Sequence, residues 1–251
     1  MKFDNIFELP QNGIYINSPI IKNLISNMIR VEGGTFTMGA TSEQDNDTYS
    51  VEKPAHQVTL SSFSIGRFEV TQEEWEAVMG SNPSVFKGAK RPVEHVSWND
   101  CQEFISKLNT ITGKAFRLPT EAEWEFAARG GNFSRGYKYA GSDDVESVAW
   151  YKGNTYNKGE SSLDYGTHPV GKKAPNELGL YDMSGNVWEW CSDWYGNYCS
   201  FPQTNPKGAV SGTYRVDRGG SWYSLASLPC YRSGHDLPER RGGDLGLRLA
   251  L

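Results

Sequence analysis

Three copies of one short device fix where helices start in this chain. Thr71-Gln72-Glu73-Glu74, Ser97-Trp98-Asn99-Asp100 and Thr120-Glu121-Ala122-Glu123 each set a hydroxyl at an N-cap and an acid three residues on. The hydroxyl accepts an orphan amide of the first turn while the acid reaches back to the amide of the cap. The acid also suits the positive end of the helix. The boxes predict helices over 72–79, 98–109 and 121–129, with Gly80 after the first and Gly130-Gly131 after the third. Residues 130–251 turn to Gly, Asn, Asp and aromatics with only short strand candidates, which reads as long loops held on a small sheet. Loops of that length inside a compact domain are usually functional or held by something bound.

Upstream, alternation over Val31–Gly39 and again over Gln57–Ile65 predicts two strands. The polar, acidic stretch Ala40–Pro54 between them reads as a mobile loop. Residues 1–28 form a prefix without that rhythm, either an arm packed on the domain or a tethering segment, and the domain proper is expected over 29–251. A chain of 251 residues buries enough core to need no metal or disulfide staple. Its 27 glycines and 8 tryptophans fit a turn-rich domain built around buried indoles better than a helical bundle.

Net charge of −5 offers no basic field to nucleic acid. No apolar run reaches membrane length, and the acid at Asp4 sits where an export signal wants bases. The expectation is a protein that neither binds nucleic acid nor inserts in a membrane, and is cytoplasmic unless carried on a larger particle. Cys101, Cys191, Cys199 and Cys230 form no CxxC pair, and His56, His95, His168 and His235 are scattered. A Cys/His metal site is therefore not expected, and reduced thiols are.

A longer series of motifs carries a resemblance. In order come Val31-Glu32-Gly33-Gly34, Phe68-Glu69-Val70-Thr71, Arg117-Leu118-Pro119-Thr120-Glu121-Ala122-Glu123-Trp124-Glu125, Leu180-Tyr181-Asp182-Met183-Ser184-Gly185-Asn186-Val187-Trp188-Glu189-Trp190, Arg218-Gly219-Gly220-Ser221-Trp222 and Leu245-Gly246-Leu247-Arg248. From about residue 29 onward the chain resembles the formylglycine-generating enzyme, or sulfatase-modifying factor, family. The resemblance implies an α+β, C-type-lectin-like fold, loop-rich with little regular structure.

Fold does not give function, so the site residues decide. Catalytic members of the family bind copper with two cysteines five apart after the GGS motif. Soft Cu(I) needs thiolates. Here those positions fall on Ser224 and Pro229, so no copper and no catalytic residue is expected. Cys230 matches a third, non-catalytic cysteine whose family partner position is Ala128, and reads as a buried free thiol. The resemblance also implies one calcium ion held by side-chain oxygens of Asp182 and Glu189 and carbonyls of Gly185 and Val187, a hard all-oxygen set.

Residues 215–251 resemble, in addition, the variable proteins of diversity-generating retroelements. Frame residues such as Trp222, Ala226, Cys230, Arg232, Pro238 and Arg241 alternate with Tyr223, Ser224, Leu225, Leu228, Pro229, Tyr231, Ser233, His235, Asp236, Leu237, Arg240, Gly242 and Asp244. In that family such positions are often AAC codons rewritten at their adenines, which never yields Lys, Gln, Glu, Met or Trp. From Tyr223 to Asp244 only Glu239 breaks this rule. Two readings stand. One is a non-enzymatic, receptor- or adhesin-like protein displaying a diversified face to a protein or cell-surface ligand. The other is an enzyme of the formylglycine-generating type or a relative with other chemistry.

Overall fold

The computed structural model describes residues 18–44, 47–226 and 236–251. All three boxes form as the sequence predicts. α2 (Gln72–Met79), α3 (Trp98–Thr112) and α4 (Glu121–Ala128) follow α1 (Pro19–Ser26) in the chain. At each N-cap the hydroxyl accepts the amide three residues on, and the acid there accepts the cap amide at 2.8 Å. α2 ends in left-handed Gly80 as expected, but α3 runs on to Thr112 because the next left-handed residue is Gly113.

Each of the two predicted strands is broken in two. β1 (Met28–Val31) pairs antiparallel with β4 (Phe63–Gly66), while β2 (Gly34–Met38) pairs antiparallel with β3 (His56–Leu60). The chain therefore turns a corner at Glu32-Gly33 and again at Ser61-Ser62, where Gly33 N donates to Ser62 Oγ at 3.0 Å. The crossing is so close that a Cβ on Gly33 would sit 2.3 Å from Leu60 O. Gly33→Ala is accordingly expected to cost about 2 kcal/mol, the scale of backbone overpacking, read as a lower urea midpoint at constant m.

α1 was hidden in the prefix, and it buries Ile21 and Leu24 against the core with Trp75, Phe104 and Trp190. The 40–54 loop is also tied down rather than loose. Arg129 donates from Nη1 to Thr41 Oγ1 and Glu43 Oε1, and from Nη2 to Gly39 O.

A three-stranded sheet in the order β7-β5-β8 divides the core: β5 (Trp188–Trp194) is central, antiparallel to β7 (Arg215–Arg218) and parallel to β8 (Leu245–Gly246). Successive side chains of β5 face opposite sides. Trp190 enters the cluster with α2 and α3, where Trp75 stacks on Phe104 at 4.9 Å, and Cys191 enters the one around α4. α4 is buried on every side although it carries three acids, Glu121, Glu123 and Glu125. Glu123 pairs with Arg117 through both oxygens, and Glu125 with Arg129 and Arg218. Partners of this kind are what make buried charge tolerable. The remaining regular pieces, α5 (Val145–Val148) and β6 (Gln203–Thr204), are short, and loops make up most of 130–251 as expected.

Candidate functional site

β7 delivers the chain to Gly219 and Gly220, both at positive φ, and then to a tight turn over Ser221–Ser224. Ser221 is fully buried, and its Oγ lies 3.1 Å from Ser224 Oγ. The turn is locked from outside itself. Trp222 N donates to Asn186 O at 2.8 Å, Lys152 N donates to Ser224 O at 2.8 Å, and Thr155 Oγ1 donates to Trp222 O. Trp222 is buried, with Phe86 and Tyr165 edge-on at 5.0 and 5.1 Å.

A second limb, 236–244, runs beside this turn and is held by framework groups at every step. Arg215 N donates to Asp236 O, Asn99 N to Pro238 O and His95 N to Gly242 O. Arg241 forks onto Asp100, the acid of the α3 capping box, at 2.7 and 2.8 Å. Against the upward push of burial, hydrogen bonds from Arg241 and Ser97 hold that carboxyl below its ordinary value. Trp222 Nε1 donates to Gly243 O at 3.0 Å and so ties the two limbs together.

What these limbs present is mixed and exposed. Tyr223 is 48% exposed, Leu225 70% and Leu237 47%. Arg240 is exposed and pairs with Asp236; Ser224, Asp236, Gly242 and Asp244 are half-buried. Burial, with Asp236 adding, pushes the Asp244 carboxyl upward. Leu228, Pro229, Tyr231, Ser233 and His235, with Cys230 and Arg232, lie outside the described residues.

The face extends onto residues that sequence reasoning missed. Tyr156 meets Tyr223 edge-on at 4.5 Å, and Lys152 Nζ stands 5.3 and 5.5 Å from the two ring centres. Tyr165 and Phe86 continue the wall around Trp222, and Val85, 58% exposed, adjoins Gly243. The signal for them was the recurrence of Tyr151, Tyr156 and Tyr165 in a polar loop, but nothing local says which side of the fold that loop reaches.

At the second expected site a buried arginine lies among the acids. Glu189 Oε1 accepts from Arg248 Nη2 at 2.7 Å, and Oε2 accepts from Arg248 Nε at 2.9 Å and Trp124 Nε1 at 2.6 Å. Arg248 also donates to Gly66 O and Tyr181 O and is fully buried. Asp182 Oδ2 accepts from Gly171 N at 2.7 Å, while its buried Oδ1 has no hydrogen-bond partner among the described residues. Glu69 completes the cluster, accepting from Asn186 Nδ2 and Val187 N. Burial pushes Asp182 up to about 6 and, with Asp182 and Glu189 nearby, Glu69 well above the usual carboxylate range.

A family model described as a sulfatase-modifying factor enzyme 1-like domain matches residues 18–251. The chain belongs to this family. The chaperone protein LppX of Paenibacillus barcinonensis is 37% identical over 88% of each chain. The mouse formylglycine-generating enzyme is 32% identical over 90% of this chain and 75% of its own. Among solved structures, Treponema denticola variable protein 1 is 35% identical and superposes with a TM-score of 0.76, covering 89% of this chain and 94% of that one. The family fold is the α+β, loop-rich, C-type-lectin-like one, and the second resemblance, to variable proteins, holds as well.

Membership sharpens two points of chemistry. Ser224 stands at the first copper-cysteine position, and its hydroxyl, bonded to Ser221, supplies no thiolate. In the set Asp182, Gly185, Val187 and Glu189, both oxygens of Glu189 accept from the Arg248 guanidinium, which brings a positive charge to these acids. Buried Cys101 and Cys191 have thiols pushed upward by desolvation, which leaves them inert. Among the described residues no helix is long and apolar enough to cross a membrane.

Proposed function

We propose that this chain is a non-enzymatic binding protein whose ligand is a protein or cell-surface group, held on the face made by the 221–225 and 236–244 limbs. The observation that carries the reading is the division of labour along these limbs. Trp222 and Arg241 are bonded into the framework, whereas Tyr223, Leu225, Leu237 and Arg240 between them project to solvent. A rigid backbone displaying exposed tyrosines and mixed polar groups is how paratopes limit the entropy cost of binding. Tyr156, Tyr165 and Lys152 belong to the same face and lie outside the segment whose residue types, Glu239 apart, are those the adenine rule allows.

Similarity to a variable protein, and to a relative named as a chaperone, supports a chain that works by holding a partner. An oxidase on the formylglycine-generating pattern would need the thiolate pair that Ser224 and Pro229 replace.

Two results test this. DNA flanking the gene should hold a near-copy of the codons for Tyr223–Asp244 that differs only at adenines. The protein, loaded with Cu(I) and given a cysteine peptide of the sulfatase type, should form no aldehyde. Turnover of that peptide overturns the reading. In parallel, Tyr223→Ser, Leu225→Ser and Leu237→Ser should each shift stability by no more than about 0.5 kcal/mol, as exposed side chains do. Larger losses in urea titrations would make these residues core rather than display.

A further inference from the structure

A cavity of about 230 Å³ opens on the β6 side of the molecule, formed by the end of β5, the start of α4 and the loop over 196–209. It shares none of its lining residues with the C-terminal face. Its floor is acidic. Asp193, 2% exposed, uses Oδ2 to accept from Glu121 N at 3.0 Å and Ser192 Oγ at 2.9 Å. Its other oxygen, Oδ1, accepts from no described donor and faces Gly208, where an added Cβ would stand 3.1 Å away. Glu121, 3% exposed, lies beside it and accepts from Tyr198 OH at 2.9 Å.

The walls are aromatic: Trp194, Tyr198 and Phe201 line the cavity, and His56 meets Tyr198 edge-on at 5.0 Å. Among the described residues no basic side chain forms an ion pair with Asp193. Of the two cations of β7, Arg215 is held flat between Trp98 and Trp194, 3.8 and 3.4 Å from their ring centres, with Nη1 on Ser192 O, and Arg218 stands 3.9 Å from Glu121 Oε1.

We propose that this cavity binds an organic cation, a guanidinium or alkylammonium head group, with its charge on Asp193 Oδ1 and its stem against Trp194, Tyr198 and Phe201. Two features point the same way. A buried carboxylate oxygen without a donor gains most from a charged one, and aromatic walls attract cations through their ring quadrupoles. The volume is below the roughly 300–1,000 Å³ of drug-sized sites, so it suits one side-chain-sized group. The free carboxylate also responds to pH. Burial, with Glu121 and Glu123 adding, pushes Asp193 up to about 7 against the hydrogen bonds from Glu121 N and Ser192 Oγ. A bound cation favours the ionised form, so binding should tighten with rising pH and release a proton.

The test is calorimetric titration of the full chain with agmatine, n-butylamine, an arginine residue within a short neutral peptide, and the neutral isostere n-butylurea. The expected result is saturable one-to-one binding by the cations, about tenfold tighter at pH ~8 than at pH ~6, with none by the urea. Agmatine binding as well as the peptide identifies a free small cation as the ligand, and peptide alone identifies a protein side chain. Asp193→Asn should abolish binding. Because Asp193 also caps α4, Ala209→Leu serves as the second variant, filling the cavity while leaving both carboxylates in place. No saturable binding by any cation overturns the proposal. So does equal binding by the urea, or undiminished binding in a folded Ala209→Leu protein.

Discussion

Replacing Arg248 by methionine is expected to destabilise the fold by about 3–5 kcal/mol, the cost of stripping one partner from a buried ion cluster. EDTA, by contrast, should leave the thermal midpoint where it is. Glu69, Asp182 and Glu189 are each almost completely buried, and Arg248 is the basic group bonded among them. Methionine keeps the stem and much of the volume but removes the donors to Glu189, Gly66 O and Tyr181 O. Glu189 would then retain only the indole of Trp124, and must either stay charged in an apolar setting or take up a proton. The check is a urea titration of both proteins at neutral pH, with m compared to confirm a common unfolded state. If chelator lowers the midpoint and added Ca²⁺ restores it, an ion and not Arg248 balances these acids, and the donor set has been misread.

That cluster also marks where sequence stops being informative. The capping boxes were legible because every interaction in them is local, Thr71 with Glu74 or Ser97 with Asp100. The corner at Gly33 was not. Alternation runs unbroken through it, and only pairing with β4 on one side and β3 on the other divides the strand. α1 escaped notice because Asn23 and Ser26 interrupt its apolar residues, and its Ile21 and Leu24 declare a face only when the core is there to receive them. Glu189 and Arg248 are 59 positions apart, so a paired acid and a metal-ligating acid look the same in sequence. The display limbs lie between these extremes. Alternation of frame and display residues was visible from Tyr223 to Asp244, yet the tyrosine wall from 152–165 that completes the face is brought there by the hydrogen bonds of Lys152 and Thr155 to the turn.

Stability should fall as pH rises from about 4 to about 7, the reverse of an ordinary acid-unfolding profile. Burial pushes Glu94 up to about 7, with Asp244 adding, and Asp193 up to about 7, with Glu121 adding. Burial likewise brings Glu74 up to about 6. In the unfolded chain these carboxyls titrate near pH ~4. Between the two values the native state holds more protons than the unfolded one, so stability declines with pH through that window and flattens above about pH 7. At about 1.4 kcal/mol per unit, Glu94 and Asp193 each contribute a decline on the order of 4 kcal/mol. Asp100 and Glu43 act in the opposite sense, because their folded values lie below the unfolded ones; their contribution is lost only as pH falls below about 4. Both are more exposed than Glu94 and Asp193, and screening weakens them. The maximum should therefore lie on the acidic side of neutrality. Glu94→Gln is the decisive variant, since Glu94 Oε1 accepts from Phe86 N while Oε2 is buried and has no close hydrogen-bond partner among the described residues. Its amide form should stabilise the protein at pH ~8, change little at pH ~4, and flatten the slope between. Urea midpoints that climb toward alkaline pH, or a Glu94→Gln profile parallel to that of the parent, would show that these carboxyls are already ionised in the fold at neutral pH.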